Sequence, residues 1–403
     1  MPMLSLEEAY RRLLAHAHLT DGERVPLTEA SGRVLVEPKV VAAVDVPPFA
    51  NSAMDGFALR AADAPGTLRL AGEVSAGAGL LPTVAPGTAV RIMTGAPIPP
   101  GADTVVPLED AAEGDGTVAI PNPVLSGRHI RAAAHDTRAG DELCLPGPLT
   151  AAKIGVLASL GIGEVEVRRR PVVAVLSTGN ELVGPGEPLG PGQIHDANGV
   201  ALAAAVAEAG GVPLLLPRLP DEAWPIESAL IGAARDADLV VTSGGVSVGR
   251  HDYVRAVLER NGSLDFWRIA VQPGKPLAVG ALGGATVIGL PGNPVSALVT
   301  FELFVRPVIR AMLDLVGDGR LHVLAVPTER MPKDAARRAF LRVGVWREDG
   351  EIHARPAGGQ QSSQLRPLAD GNALLVVPEG ADAAEPSRSY QAIVFEPLSL
   401  TGR

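Results

Sequence analysis

Between residues 170 and 313, short unbroken apolar runs alternate with stretches of helical length, and no other feature of the chain restricts its fold more. The runs at 171–176, 212–216, 239–242, 277–280 and 286–290 read as strands from their aliphatic content and the turn residues around them. Residues 198–209, 225–234 and 252–260 read as helices, the first closed by Gly210 and Gly211, the third ending at Asn261-Gly262. A last helix spans 295–313 and is interrupted near Pro307. Strands apolar on both faces, separated by helices, predict a parallel sheet in a three-layer α/β/α domain.

The flanks have a different texture. A first helix starts at Ser5, with Glu8 three residues later as a capping-box signature, and runs to about residue 18. Residues 38–138 are turn-rich with short apolar runs at 89–93, 104–108 and 117–120, which suits a small β unit. A helix at 150–160 leads through 165–167 into the alternating region. Beyond residue 318 only short strands follow, at 321–326, 340–345, 374–377 and 392–395, as in a separate β domain. The 46 glycines and 36 prolines form about a fifth of the 403 residues. That share lies below the disorder range of about 25–30%, so they mark tight turns.

Composition removes several classes of function. Aromatics are only 3%, so the cores are aliphatic and base-stacking platforms are not expected. With 35 Lys+Arg against 45 Asp+Glu the net charge is −10, without the basic footprint of a nucleic-acid binder. The N-terminus is polar and lacks the apolar core of a secretory signal. The most aliphatic stretch, 200–219, carries Glu208, Arg218 and two prolines, so it does not read as a membrane span. A soluble, cytoplasmic protein is expected. Cys144 is the only cysteine, which excludes an intrachain disulfide or a cysteine-cluster metal site, and it reads as a small buried apolar residue.

In a parallel sheet, ligands bind outside the carboxyl ends of the strands. The first strand is followed by Ser177, Thr178, Gly179, Asn180 and Glu181, and the second leads to Asp221. The third is followed by Ser243, Gly244, Gly245 and Ser247, then Asp252. Gln272, Pro273, Gly274 and Lys275 precede the fourth, and Pro291, Gly292, Asn293 and Ser296 follow the fifth. Glycines let backbone N–H groups approach an oxyanion, and helix N-termini add positive potential. Carboxylates beside such a cradle imply Mg²⁺ between them and a phosphate.

Competing motifs fit less well. Gly245-Val246-Ser247-Val248-Gly249 matches a hydrolase nucleophile elbow, but Ser247 lies five residues past the strand end and has no persuasive histidine partner. Pro273-Gly274-Lys275-Pro276 lacks the upstream glycine of a phosphate-binding Walker loop. The eight histidines are scattered, so structural roles are expected for them. The Asp-Gly turn at Asp55 and the turn after Thr94 read as plain bends from local physics.

The strings SAMDGFA, RIMTGAPIPPGADTVV, STGNEL, SGGVSVGRHDY, QPGKP and GLPGNPVSA, in this order, resemble the molybdopterin molybdenumtransferase family, the MoeA proteins and gephyrin E domains. The resemblance covers nearly the whole chain. It implies four domains: an elongated linker domain (1–38 and 139–168), an inserted β domain (39–138), the α/β/α molybdopterin-binding domain (169–317) and a C-terminal β-barrel (318–403). It implies a homodimer with its active site in a cleft between subunits. Molybdate and adenylylated molybdopterin are then the substrates, AMP is released with Mg²⁺, and molybdenum cofactor is formed. Partners would be these small molecules, the adenylyltransferase upstream and molybdoenzyme chaperones downstream.

Residue by residue, the resemblance makes Asp55, Thr94 and Asp136 active-site positions of the inserted domain. Glu181, Asp221 and Asp252 would hold Mg²⁺. Gly244, Gly245 and Ser247 would cradle phosphate, and Ser177, Thr178, Gly179, Pro291, Gly292 and Asn293 would bind substrate. Lys275 and Ser296 match positions for molybdate, and Arg337 and Ser363 are matches from the C-terminal domain. Arg268 stands where a lysine is frequent. Gln272 replaces the usual lysine of a KPGKP-type loop, which removes one positive charge. GlnSerSerGln stands for the more usual GlnGlySerHis. The alternatives are molybdopterin adenylylation, which needs only the central domain, and a non-enzymatic scaffold. No protein nucleophile is required, in keeping with the lone cysteine.

Overall fold

The computed structural model describes residues 3–245 and 253–397. The chain divides into two compact units, residues 24–167 and residues 1–23 with 168–403.

In the second unit, six strands form a sheet in the order Val212–Leu215, Val172–Ser177, Leu239–Ser243, Ala285–Leu290, Pro276–Leu282, Ser263–Arg268. Successive residues alternate between two cores. Val173, Val175, Leu239 and Val241 pack with Leu202 and Val206 of helix Ala197–Ala209, whereas Ala174, Leu176 and Val240 pack with Ile226 and Leu230 of helix Ala223–Asp236. That two-sided burial is why the strands are apolar throughout.

The sheet is not wholly parallel. The first four strands of that order are parallel, but 276–282 runs antiparallel to 285–290, and 263–268 runs antiparallel to 276–282. The reason is local. Gly283 and Gly284, both at positive φ (57° and 97°), form a two-residue link, too short for a parallel crossover and suited to a hairpin. Strand 263–268 escaped detection because its SLDFWR sequence lacks an apolar run.

Two helices also depart from expectation. The first spans Leu6–Leu14, with Ser5 Oγ accepting the Glu8 N–H, and stops short of residue 18. Residues 15–17 tighten into i→i+3 turns, while the His16 ring bonds to Asp265 and its carbonyl to Thr286 Oγ1. Glu8 is held by Arg11 and Arg12. The last helix runs Pro294–Thr300, widens to a π-type turn at Phe301–Val305 and resumes as Arg306–Met312. The break lies ahead of Pro307, where the proline ring would press on the carbonyl four residues earlier.

Beyond it, strands Leu321–Pro327, Arg338–Glu348, Glu351–Pro356, Ala373–Val377 and Tyr390–Val394 close into a five-stranded barrel. Strand 351–356 was not anticipated. Val271–Gln272 pairs with the start of strand 338–348, tying the loop before Lys275 to the barrel.

The first unit holds a six-stranded sheet ordered Thr104–Pro107, Gly56–Leu59, Thr88–Ile92, Gly66–Val74, Thr117–Ile120, Ala112–Gly114. Phe57, Leu59 and Val106 face one core, and Ala58, Val90 and Val105 the other. A third cluster packs Leu157, from helix Ala151–Ser159, on Leu27, Leu35 and Val167. Cys144 is exposed rather than buried, because it ends a short strand, Glu142–Cys144, that pairs only with Lys39–Val41.

Candidate active site

Ser177, Ser243 and Leu290 lie side by side in register, so three parallel strands end level. The chain then leaves the sheet through Thr178, Gly244 and Pro291. Gly244 and Gly245 are both at positive φ (92° and 70°). A Cβ on Gly244 would lie 2.9 Å from the carbonyl and the hydroxyl oxygen of Thr178. Only glycine allows this approach, and it lets Gly244 N–H donate to Leu290 O at 3.1 Å.

Polar atoms collect at this edge without being satisfied. Ser177 and Thr178 are 2% and 6% exposed, and among the described residues neither hydroxyl oxygen has a hydrogen-bond partner. Such an atom costs about 1–3 kcal/mol, a debt that a polar ligand would relieve. A cavity of about 100 Å³ opens beside Thr178, walled also by Glu181, Asp196, Asn198, Ser243 and Gly292. Asp196 caps helix 197–209, its Oδ1 accepting the Gly199 N–H at 2.9 Å. A Cβ on Gly199 would fall 2.6 Å from Asp196 Oδ2 and 2.9 Å from Ser177 Oγ.

The antiparallel strand decides where Lys275 goes. In a parallel sheet, the loop before strand 276–282 would lie at the far edge. With Ala278 opposite Gly289, that loop instead reaches the carboxyl ends of the parallel strands, and Lys275 is exposed there. Gly274 is at φ 114°, and a Cβ on it would overlap Thr300 Cγ2, one turn beyond the buried Ser296. Gln272 Oε1 accepts the Asp334 N–H at 3.2 Å, and Asp334 Oδ2 pairs with Arg337 at 2.6 Å. The Ala336 N–H and Arg337 hold the Asp334 carboxyl below its ordinary range. Arg337 therefore reaches the Gln272 loop through Asp334.

Other candidates sit as follows. Asp221 donates its N–H to Asn180 Oδ1 at 3.2 Å, which draws it to the loop of Glu181. Arg268 lies at a strand end, its carbonyl accepting the Leu4 N–H. Ser247 and Asp252 lie outside the described residues. Asn293 Nδ2 donates to Ser362 Oγ at 3.1 Å, so Ser362 makes this contact while its neighbour Ser363 is exposed. Arg342, 1% exposed, donates to Gly359 O and Gln361 O and thereby holds the Ser362 loop. Burial alone lowers its pKa.

In the other unit, the structure joins Asp55 and Thr94. Thr94 gives both its N–H and its hydroxyl to Asp55 Oδ1, at 2.7 and 2.8 Å. These two bonds, the backbone one foremost, hold the Asp55 carboxyl below its ordinary value and leave Oδ2 unbonded among the described residues. Asp136 is exposed and anchored through its own N–H to Val46 O.

Sequence reasoning missed Asp196, Asn198, Ser362, Arg342 and Asp334, and it named Ser243 only as part of its loop. Only Asp196 carried a usable signal, an N-cap residue before an alanine-rich helix. Among the described residues, no three His, Cys, Asp or Glu side chains gather as a metal site.

Three family models tile the chain in order. The MoeA N-terminal region (domain I and II) matches 4–161, a probable molybdopterin binding domain 174–311, and the MoeA C-terminal region (domain IV) 308–394. The three-layer domain with its polar edge is thus of the molybdopterin-binding class. The chain belongs to the MoeA family. It is 40% identical over 386 residues to molybdopterin molybdenumtransferase 2 of Mycobacterium tuberculosis, covering 92% of this chain and 94% of that protein. Identity to the Haemophilus influenzae molybdopterin molybdenumtransferase is 40% over 385 residues, 93% of this chain and 94% of the other. A solved MoeA protein of Pyrococcus horikoshii superimposes with a TM-score of 0.84 at 31% identity, covering 98% of this chain and 100% of that one.

Proposed function

We propose that this chain is a molybdopterin molybdenumtransferase that takes molybdate and adenylylated molybdopterin, releases AMP and yields molybdenum cofactor. What carries the reading is the likeness, over nine-tenths of the chain, to relatives bearing that name. The edge chemistry supports it. Ser177 and Thr178 offer unpartnered hydroxyl oxygens, and Gly244 lets the neighbouring loop pack closely against Thr178. Lys275 supplies the positive charge that offsets a developing phosphate or molybdate charge. Asp55, fixed by Thr94 and ionised, is the carboxylate of the other unit that the family resemblance makes an active-site position.

Mg²⁺ takes one or two carboxylates together with phosphate oxygens and waters, so three protein ligands are not required. Glu181 on the cavity wall and Asp221 beside its loop fit that need, with Asp252 as the third candidate. The ion would offset the charge of the pyrophosphate. The chain works as a homodimer in the cytoplasm. No helix among the described residues is long and apolar enough to cross a membrane.

The test is AMP release from adenylylated molybdopterin with Mg²⁺, with and without molybdate. Release that depends on molybdate is expected. Substrate that binds but never releases AMP, whichever oxyanion is added, would overturn the reading. Sedimentation at micromolar protein checks the dimer.

A further inference from the structure

Asn198, in the first turn of helix 197–209, carries a role that the candidate positions above do not include. Its Nδ2 donates to Ser243 Oγ and to Gly292 O, both at 2.8 Å. A carbonyl only accepts, so the bond to Gly292 O fixes which end of the amide faces these loops. One side chain from a third element therefore ties together the chain leaving two central strands.

These bonds change what the edge offers a ligand. A hydroxyl that accepts from Asn198 turns its own hydrogen elsewhere, and among the described residues no acceptor takes the hydrogen of Ser243. The carbonyl of Gly292, which would repel an anion, is engaged. Ser243 lines the same cavity as Thr178, whose buried hydroxyl oxygen has no partner. The helix N-terminus behind Asn198 adds positive potential.

We propose that Asn198 is a positioning residue for a phosphate group of the substrate, acting through Ser243 by holding its oxygen so that the O–H donates into the cavity. This deepens the proposed transferase reading and rests on it. The probes are AMP and inorganic pyrophosphate, titrated calorimetrically against the full chain. Asn198→Ala is expected to weaken both by about 10-fold, the scale of one charge-assisted hydrogen bond. Asn198→Asp is expected to weaken them further, by roughly 100-fold, because a carboxylate captures the Ser243 hydrogen and repels the anion. In a Ser243→Ala background, the effect of Asn198→Ala should fall to about 3-fold or less.

A purely structural role predicts something else. Both Asn198 variants would then lose affinity in step with their melting temperatures, and the loss would persist unchanged without Ser243. That result would overturn the assignment while leaving the transferase reading intact. A wild-type chain that binds neither probe and releases no AMP would overturn both. Should Asn198→Asp fail to fold, Ser243→Ala compared with Asn198→Ala/Ser243→Ala decides the question.

Discussion

The Asp55–Thr94 pair and the carboxyl edge of the α/β sheet hold their polar groups in opposite ways. Asp55 is exposed, and a neighbouring residue already saturates one of its oxygens with two short bonds. Ser177 and Thr178 are buried, and their hydroxyl oxygens have no partner among the described residues. The first arrangement is locally built: strand 56–59 pairs with strand 88–92, and the residues just outside both strands meet. The second depends on groups from distant parts of the chain, including helix 197–209, the Gly244 turn and the Pro291 loop. A self-satisfied exposed carboxylate contributes fixed charge at little conformational expense. Orphaned buried hydroxyls destabilise the free protein and favour a bound state.

The comparison is most exposed at Lys275. If the edge is an oxyanion site, Lys275→Ala should lower kcat/KM for AMP release by about 10²–10³-fold, the size of losing one preorganised charge donor. An effect under threefold would detach the lysine from the edge. Next in size is Gly199→Ala. Its methyl would press on Asp196 Oδ2 and Ser177 Oγ, so about 1–3 kcal/mol of stability should be lost. Denaturant unfolding checks this, and an unchanged midpoint would show that the contact yields freely.

Smaller effects separate neighbouring residues. Ser362→Ala removes the bond to Asn293 and should cost about 1 kcal/mol, whereas Ser363→Ala should stay within about 0.5 kcal/mol. The reverse order in unfolding experiments would contradict the Ser362 contact. The smallest signal concerns Asp55. Its carboxyl carbon, followed by NMR, should titrate below the ordinary 3.8, and Thr94→Val should move the midpoint up only part of the way, because the backbone N–H remains. Since the folded pKa is the lower one, the pair's contribution is present above pH 3.8 and fades as pH falls through the folded value. A midpoint unmoved in Thr94→Val would remove the hydroxyl from the pair.

Much of this was legible in the amino-acid order. Apolar runs such as 171–176 and 239–242 are required by burial on two faces, and that pattern survives any detail of packing. The Ser177, Gly244 and Pro291 loops follow from where those strands end. The SLDFWR strand and strand 351–356 escaped because edge and barrel strands need no apolar run. Asn198, Asp334 and Arg342 escaped because nothing in the order of residues says which distant carbonyl, amide or hydroxyl each will meet.

Sequence alone therefore determined the three-layer core, the glycine turns at its edge and the family motifs, since periodicity and backbone conformation are local properties. Tertiary structure decided the direction of strand 276–282, and with it the edge that Lys275 occupies. It also decided that Asn198 would bridge Ser243 and Gly292, and that Ser362 rather than Ser363 would meet Asn293. These outcomes depend on pairing between segments far apart in the chain, where geometry, not residue type, selects the partner.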